Sequence, residues 1–387
     1  MTRPLEGFRV VEVCHVASGP FCGMLLADLG ADVVKIENPA GGDSMRSWPP
    51  ISDGYSENFA SLNRNKRSVA LDLKDDGQRR TALDLMAGAD VVVENNRPGV
   101  MGRLRLGYQE VVALNPAIVY CSISAFGQEG PRRAEAGFDL TVQAMSGIMS
   151  VTGERDGDPV KCGVPISDFA TGLYGAFAIV SALHQARATG RGVHIDASML
   201  GSSLAIAALQ TSQLFGSGVD PVALGAAHPR NAPYEVFACR DGHVAMAAGN
   251  DGLFAAFCRA FGRPELVEDP RFVSTVDRAA HQGELKRIVE DIFATRDRSD
   301  VLEALRDAGV PGSPLNKYSE ALDDPQVEAM GWVEPLELPN GTVTRTFGSP
   351  LRFDGRGFPV YRHPPALGEH TGEVCPDGAD LRSSEAS

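Results

Sequence analysis

Through the first half of the chain, short runs rich in valine and isoleucine alternate with stretches of helical spacing. The runs are Phe8–Val13, Asp32–Glu37, Ser68–Leu73, Ala89–Glu94 and Ala117–Ile123. β-Branched runs followed by turn residues and helix-like segments are the pattern of βαβ units, which predicts an α/β fold around a parallel sheet. The first helix is well marked. Pro20 suits its opening turn, Met24, Leu25 and Leu29 supply an apolar side, and Gly30 is placed to end it. A longer helix is predicted over about residues 169–188, where Phe169, Leu173, Phe177, Val180 and His184 recur at three- and four-residue steps. Gly190 closes it, and Asp168 sits at its mouth.

Residues 199–215 are again helix-like, but the stretch 216–233 is rich in Gly, Ala and Pro and reads as a linker. Tyr234–Gly249 then reads as a hairpin turning at Asp241-Gly242, followed by charged amphipathic helices to about Ala308. From Val310 to Arg362 repeated prolines prevent long helices. The resulting division is a large domain over 1–215, a smaller α+β domain over 234–325, and a C-terminal segment, 326–387, returning to the large domain. The polar tail after Ala366 is expected to fray.

Composition narrows the function. The 387 residues are enough for two or three domains, and 43% hydrophobic with 22% charged residues is ordinary for a globular chain. A net charge of −14 disfavours phosphate backbones and anionic membranes, so an anionic ligand needs local cations and backbone N–H groups. Seven cysteines form no C-x-x-C pair and no zinc-like spacing, which predicts reduced thiols and a cytoplasmic protein. The N-terminus lacks the apolar core of a secretory signal, and the apolar stretches look interrupted before spanning length.

Several chemistries lack their motifs. Strand, helix, and strand ending in Glu37 resembles the opening of a dinucleotide fold, but the turn His15–Gly23 holds only Gly19 and Gly23, and Pro20 removes an N–H. No G-x-S-x-G, H-E-x-x-H or Walker A sequence occurs, and the histidines are scattered. Two clusters remain. One is cationic: Asn63–Ser68 leads into Leu71–Lys74, and Glu94–Gly99 leads to Arg103 and Arg105. These residues either line exposed loops or converge to hold phosphates. The other is Gly163–Gly175, in which Asp168 is either an N-cap or a carboxylate nucleophile.

The chain resembles the class III coenzyme A transferases, the family of formyl-CoA and carnitine CoA-transferase. The likeness rests on His15–Pro20, Leu29–Glu37, Asn65–Ser68 with Leu71–Lys74, Val93–Asn95, Gly137–Leu140 with Ser146-Gly147 and Thr152-Gly153, Gly163–Asp168, and Gly190–Asp196. It implies a Rossmann-like large domain in an interlocked homodimer, with Asp168 as the catalytic aspartate. Coenzyme A would contact His15, Val16, Leu71, Lys74, Asn95 and Arg103. Arg97 joins them on charge and location. The coenzyme A thioester is then a substrate, with no permanently bound cofactor, no metal, nucleic acid or membrane, and small carboxylates as co-substrates. The implied reaction moves CoA from an acyl-CoA, with succinyl-CoA as the family-based choice, to a free acid through an aspartyl anhydride. The smaller domain is expected to close over the thioester. This chain has Ala17, Asn38 and Ala136 where formyl-CoA transferase has glutamine, arginine and lysine, and Gly225–His228 at its glycine-rich lid. These departures argue against formyl and oxalyl substrates. The related α-methylacyl-CoA racemases use a histidine where this chain has Phe138, which cannot exchange a proton. A non-catalytic acyl-CoA-binding subunit is the remaining alternative.

Overall fold

The structure is a computed structural model that describes residues 2–376. The chain divides into two compact units, one of residues 1–149, 161–219 and 326–387 and the other of 150–160 and 220–325. The excursion 150–160 departs from the sequence division, which left it in the large domain. One of its ties is the hydrogen bond from Gly225 N to Gly153 O, 2.8 Å.

The first unit is built on six parallel strands: β1 (Arg9–Val13), β2 (Asp32–Glu37), β3 (Lys66–Ala70), β4 (Val91–Glu94), β5 (Val119–Ser124) and β6 (Val193–Ser198). Their order across the sheet is β3-β2-β1-β4-β5-β6. From β1 the chain winds outward first on one side and then on the other, so the strand order reverses between β1 and β4. In such a sheet a crevice opens there, beyond the carboxyl ends of the strands. Val91, Val92 and Val93 are fully buried, as expected of a strand covered on both faces.

The sequence placed five of these strands. It missed β6, whose residues Val193-His-Ile-Asp-Ala-Ser198 carry little apolar signal because the strand lies at an edge and is half exposed. It also set the third strand late. β3 begins at Lys66 because that lysine, polar in sequence, is buried and ion-paired with Glu12 at 2.8 Å.

The tail expectation is corrected. Residues 368–375 dock on the other edge strand, where His370 N donates to Ser68 O at 2.9 Å and Ala70 N to Thr371 Oγ1 at 3.0 Å. An edge strand has free backbone groups, and this segment satisfies them. The part of the tail beyond 376 lies outside the described residues.

Helix α1 (Ser18–Asp28) follows β1 and ends before Gly30, whose φ of +102° suits glycine. Helix α2 (Ile166–Thr189) closes on Gly190 at φ +69°. Its periodicity was legible, but the buried face is not the predicted one. Ala170, Gly172, Gly175, Ala176 and Ile179 face inward, while Leu173 and Phe177 are 54% and 73% exposed. The reason is the closeness of α1: a Cβ on Gly172 would stand 2.8 Å from Ser18 O and 2.9 Å from Phe21 Cδ1. Small residues permit that approach and the bulky ones are turned outward. This helix is also long and apolar enough to cross a membrane, with mean hydropathy 1.4 over its best window. That corrects the expectation that no stretch reaches spanning length. Half of the window is buried within the protein, as in a core helix. Helices α3 (Met199–Ile206) and α4 (Ala208–Ser217) complete this part of the unit.

The second unit carries the predicted hairpin, Tyr234–Cys239 against Gly242–Ala247, with Gly312–Pro314 added antiparallel. Helices Asp251–Ala260, Gln282–Phe293 and Arg298–Asp307 pack Phe254, Phe257, Phe293 and Leu305 onto Phe237 and Val244.

Candidate active site

The turn that leaves β1 and the turn that leaves β4 lie side by side across the point where the strand order reverses. His15 N donates to Asn95 Oδ1 and Asn95 Nδ2 donates to His15 O, both at 2.8 Å. This reciprocal pair forms part of a cleft of about 220 Å³ lined by His15–Ser18, Asn95–Pro98, Ile123–Phe126, Arg133, Glu135–Phe138, Asp168 and Met199. A second cleft of about 310 Å³ shares His15 and Asn96 with it and adds Val13, Ile36–Asn38, Leu71–Lys74, Val100, Arg103 and Leu104. The residues that the family resemblance named, together with Arg97, border one of two clefts with shared walls; Arg64, Lys66, Arg67 and Arg105 of the cationic cluster line neither. Asp168, Val16, Asn95 and Arg97 line the first, Leu71, Lys74 and Arg103 the second, and His15 both.

Asp168 is the third residue of α2, inside the helix, and the N-cap position is Pro165. The capping interpretation is thereby removed, and its carboxyl is available to the cleft. Burial pushes its pKa up to about 6, helped by the charge of Asp139 and opposed by a hydrogen bond with Ser18. Asp139 is itself anchored, accepting Ser167 N–H at 3.0 Å and Gln143 Nε2 at 2.7 Å. Ser18 is buried and opens α1. Sequence inspection did not single it out, because a serine at a helix start is ordinary capping chemistry.

The cationic cluster splits into two kinds of residue. Arg64 pairs with Asp28 at 2.7 Å, Lys66 with Glu12, and Arg67 with Asp32, so these three are structural. Lys74, Arg97 and Arg103 are exposed along the clefts, and among the described residues none has a side-chain ion-pair partner. In a chain of net charge −14 these, with the exposed Arg133 of the first cleft, are cations available to meet an anion there. Glu37, which ends the strand that gave the opening its likeness to a dinucleotide fold, is taken up internally. Burial would raise it, but Arg46, at 2.6 Å, and Lys35 hold its pKa down to about 2.

Other nucleophiles near the sheet are silent. Burial pushes the Cys14, Cys22 and Cys121 thiols up, so they stay protonated at neutral pH. Burial, with Lys35, pushes His15 down and leaves a neutral imidazole in the cleft. Phe138 borders the cleft where a proton-transferring histidine would stand in a racemase, and its ring carries no exchangeable proton.

An α/β sheet of this order has a crevice at its switch point, here bordered by the Asp168 carboxyl and by cations without ion-pair partners among the described residues. Comparison with known proteins gives the class. The CoA-transferase family III profile matches residues 5–371. The succinate–glutarate CoA-transferase of Agrobacterium fabrum is 40% identical over 99% of this chain and 96% of its own length. The human succinyl-CoA:glutarate CoA-transferase is 36% identical over 96% and 85%, and the acetyl-CoA:oxalate CoA-transferase of Acetobacter aceti 39% identical over 93% and 91%. A crystal structure of a CAIB/BAIF family protein from Brucella suis superposes with a TM-score of 0.86 at 37% identity, covering 97% of this chain and 100% of that one. The chain belongs to CoA-transferase family III, and it is a CoA-transferring enzyme.

Proposed function

We propose that this enzyme moves CoA from succinyl-CoA to a small dicarboxylic acid such as glutarate, with Asp168 as the covalent relay. The observation that carries the proposal is Asp168 itself: a carboxyl inside the first turn of α2, raised to about 6 and bordering the same cleft as the unpaired Arg97. At neutral pH the carboxylate predominates, and a partly desolvated carboxylate is a competent nucleophile.

The reaction runs in balanced steps. An Asp168 carboxylate oxygen attacks the thioester carbonyl, the C–S bond breaks, and CoA leaves as thiolate, giving a mixed anhydride. The thiolate attacks the aspartyl carbonyl and expels the donor as free carboxylate, leaving an aspartyl thioester. The acceptor carboxylate repeats the sequence in reverse, so CoA ends on the acceptor and Asp168 is regenerated. The thioester's free energy is retained throughout. Ser18 O–H and the first backbone N–H groups of α1 are the donors available to the tetrahedral oxyanion. Lys74, Arg97 and Arg103 supply charge for the CoA phosphates, with Leu71, Val16 and the His15–Asn95 pair along its length. CoA arrives as substrate, and no resident cofactor enters these steps.

Relatives named for glutarate, mesaconate, D-citramalate and oxalate support a dicarboxylic acceptor. The oxalate relative weakens the sequence argument against oxalyl substrates, so oxalate belongs in the acceptor panel. The outward-facing Leu173, Phe177 and Val180 of α2 and Leu209 and Phe215 of α4 support a homodimer that covers them. Free, mostly buried thiols support a reducing, cytoplasmic setting. The test is transfer from succinyl-CoA to isotopically labelled acids, with wild type and Asp168→Ala side by side. Transfer to glutarate lost in the variant, with CoA still bound, supports the proposal; equal transfer by the two proteins contradicts it.

A further inference from the structure

The charged residues inside the sheet have no counterpart in the reaction above, yet they converge on the turn that carries His15. Parallel strands covered on both faces are ordinarily apolar. Here Glu12, Lys35 and Lys66 stand on β1, β2 and β3 with no exposed surface, joined by Asp43 from the loop after β2. Lys35 Nζ lies 3.0 Å from Glu12 Oε1 and 3.1 Å from Asp43 Oδ2, and Lys66 Nζ lies 2.8 Å from Glu12 Oε2. Two cations and two anions balance, which offsets part of the cost of taking each from water.

The remaining valences of Lys35 and Asp43 go to the turn's backbone. Lys35 Nζ donates to Cys14 O at 2.7 Å. Val16 N–H donates to Asp43, 3.1 Å to Oδ1 and 3.2 Å to Oδ2. Between them, His15 N and O are both held by Asn95. Successive backbone polar groups from Cys14 O to Val16 N are thus held by side chains from elsewhere in the unit. Val16 has φ +64°, a conformation that a β-branched residue adopts only when its surroundings enforce it. Ser18, which lines the same cleft as Asp168, follows two residues later.

We propose that Lys35 and Asp43 are positioning residues for CoA transfer: their buried ion pair clamps the strained His15–Val16 turn and thereby fixes Ser18 and the start of α1 against Asp168. Neither residue touches substrate. The charge pair is retained because it specifies one backbone geometry. The inference rests on Asp168 being the reacting group.

The experiment compares wild type, Asp43→Asn and Lys35→Met. The first keeps an acceptor for Val16 N–H but removes the anion facing Lys35, and the second keeps the side chain's bulk. Transfer rates are normalised to the fraction of protein that binds CoA, so partial unfolding does not count. The expected result is a kcat at least tenfold lower in both variants, with the acceptor KM within about threefold of wild type and a smaller rise in the CoA Kd, because the same turn borders CoA. Unchanged kcat per CoA-binding molecule in either variant overturns the clamp. So does collapse of both variants, which assigns the pair to folding alone. Mass added to Asp168 of wild type under turnover is measured first. Its absence overturns the nucleophile reading, whereas the clamp is judged by how the variants' transfer rates differ from wild type.

Discussion

Asp139 accepts the N–H of Ser167 in the opening turn of α2, and its charge makes the adjacent Asp168 harder to ionise. Asp139 is fixed by that bond, to the residue just before Asp168 in the chain. With burial, that charge keeps Asp168 near 6, and its carboxylate form, the nucleophile in the proposed reaction, grows in as pH rises through this value. The kcat/KM profile should have an ascending limb with its midpoint near pH 6, falling about tenfold per unit below it. Asp139→Asn removes the like charge while keeping an acceptor oxygen for Ser167, so the limb should move to lower pH. A limb that stays in place would separate Asp139 from the ionisation.

The same shift has a consequence for stability. A carboxyl whose folded pKa lies above its unfolded value stabilises the fold fully only below the unfolded pKa and loses that contribution as pH rises through the folded one. For Asp168 the window runs from about pH 4 to about 6, and above it the native state carries an uncompensated carboxylate. Asp168→Asn should leave stability near pH 4 little changed and raise it by about 1–3 kcal/mol at pH 8. Urea unfolding at the two pH values measures the difference.

Much of this arrangement was legible before any coordinates. Alternating β-rich runs and helices gave the sheet, the family motifs brought Asp168, His15, Asn95 and Arg103 together as candidates, and charge and location added Arg97. Two things were not legible. Periodicity marks a stripe on a helix but cannot choose the buried side when tight helix packing favours glycine and alanine, as at Gly172 and Gly175. The Lys35–Asp43 pair was hidden because local sequence does not tell whether a charge inside a valine-rich strand points to water or to another charge. Lysine and glutamate recurring in strands otherwise fit for burial were the available signal.

Arg103 and Lys74 border one cleft and Arg97 its neighbour, all without ion-pair partners among the described residues. Replacing Arg103 by Ala should weaken CoA binding by about 1–3 kcal/mol, as expected for loss of a charge-assisted phosphate contact. Binding to wild type should fall as salt rises, and less steeply in the variant. Calorimetric titration at two salt concentrations checks both.

Phe177 is 73% exposed on α2, beside Leu173 and Val180. An apolar row of this kind on a folded chain calls for a covering surface. If the homodimer proposed above covers this row, Phe177→Asp should give monomer or make the protein aggregate, read by sedimentation. A variant with the wild-type sedimentation coefficient would place the contact elsewhere.

The central claim is that the activated group passes through Asp168. Rapidly quenched protein, mixed with succinyl-CoA and digested, should show the peptide containing Asp168 heavier by the mass of an acyl or CoA group, or labelled at that residue by hydroxylamine. Active enzyme that yields only unmodified Asp168 peptide across the first turnover would contradict the account.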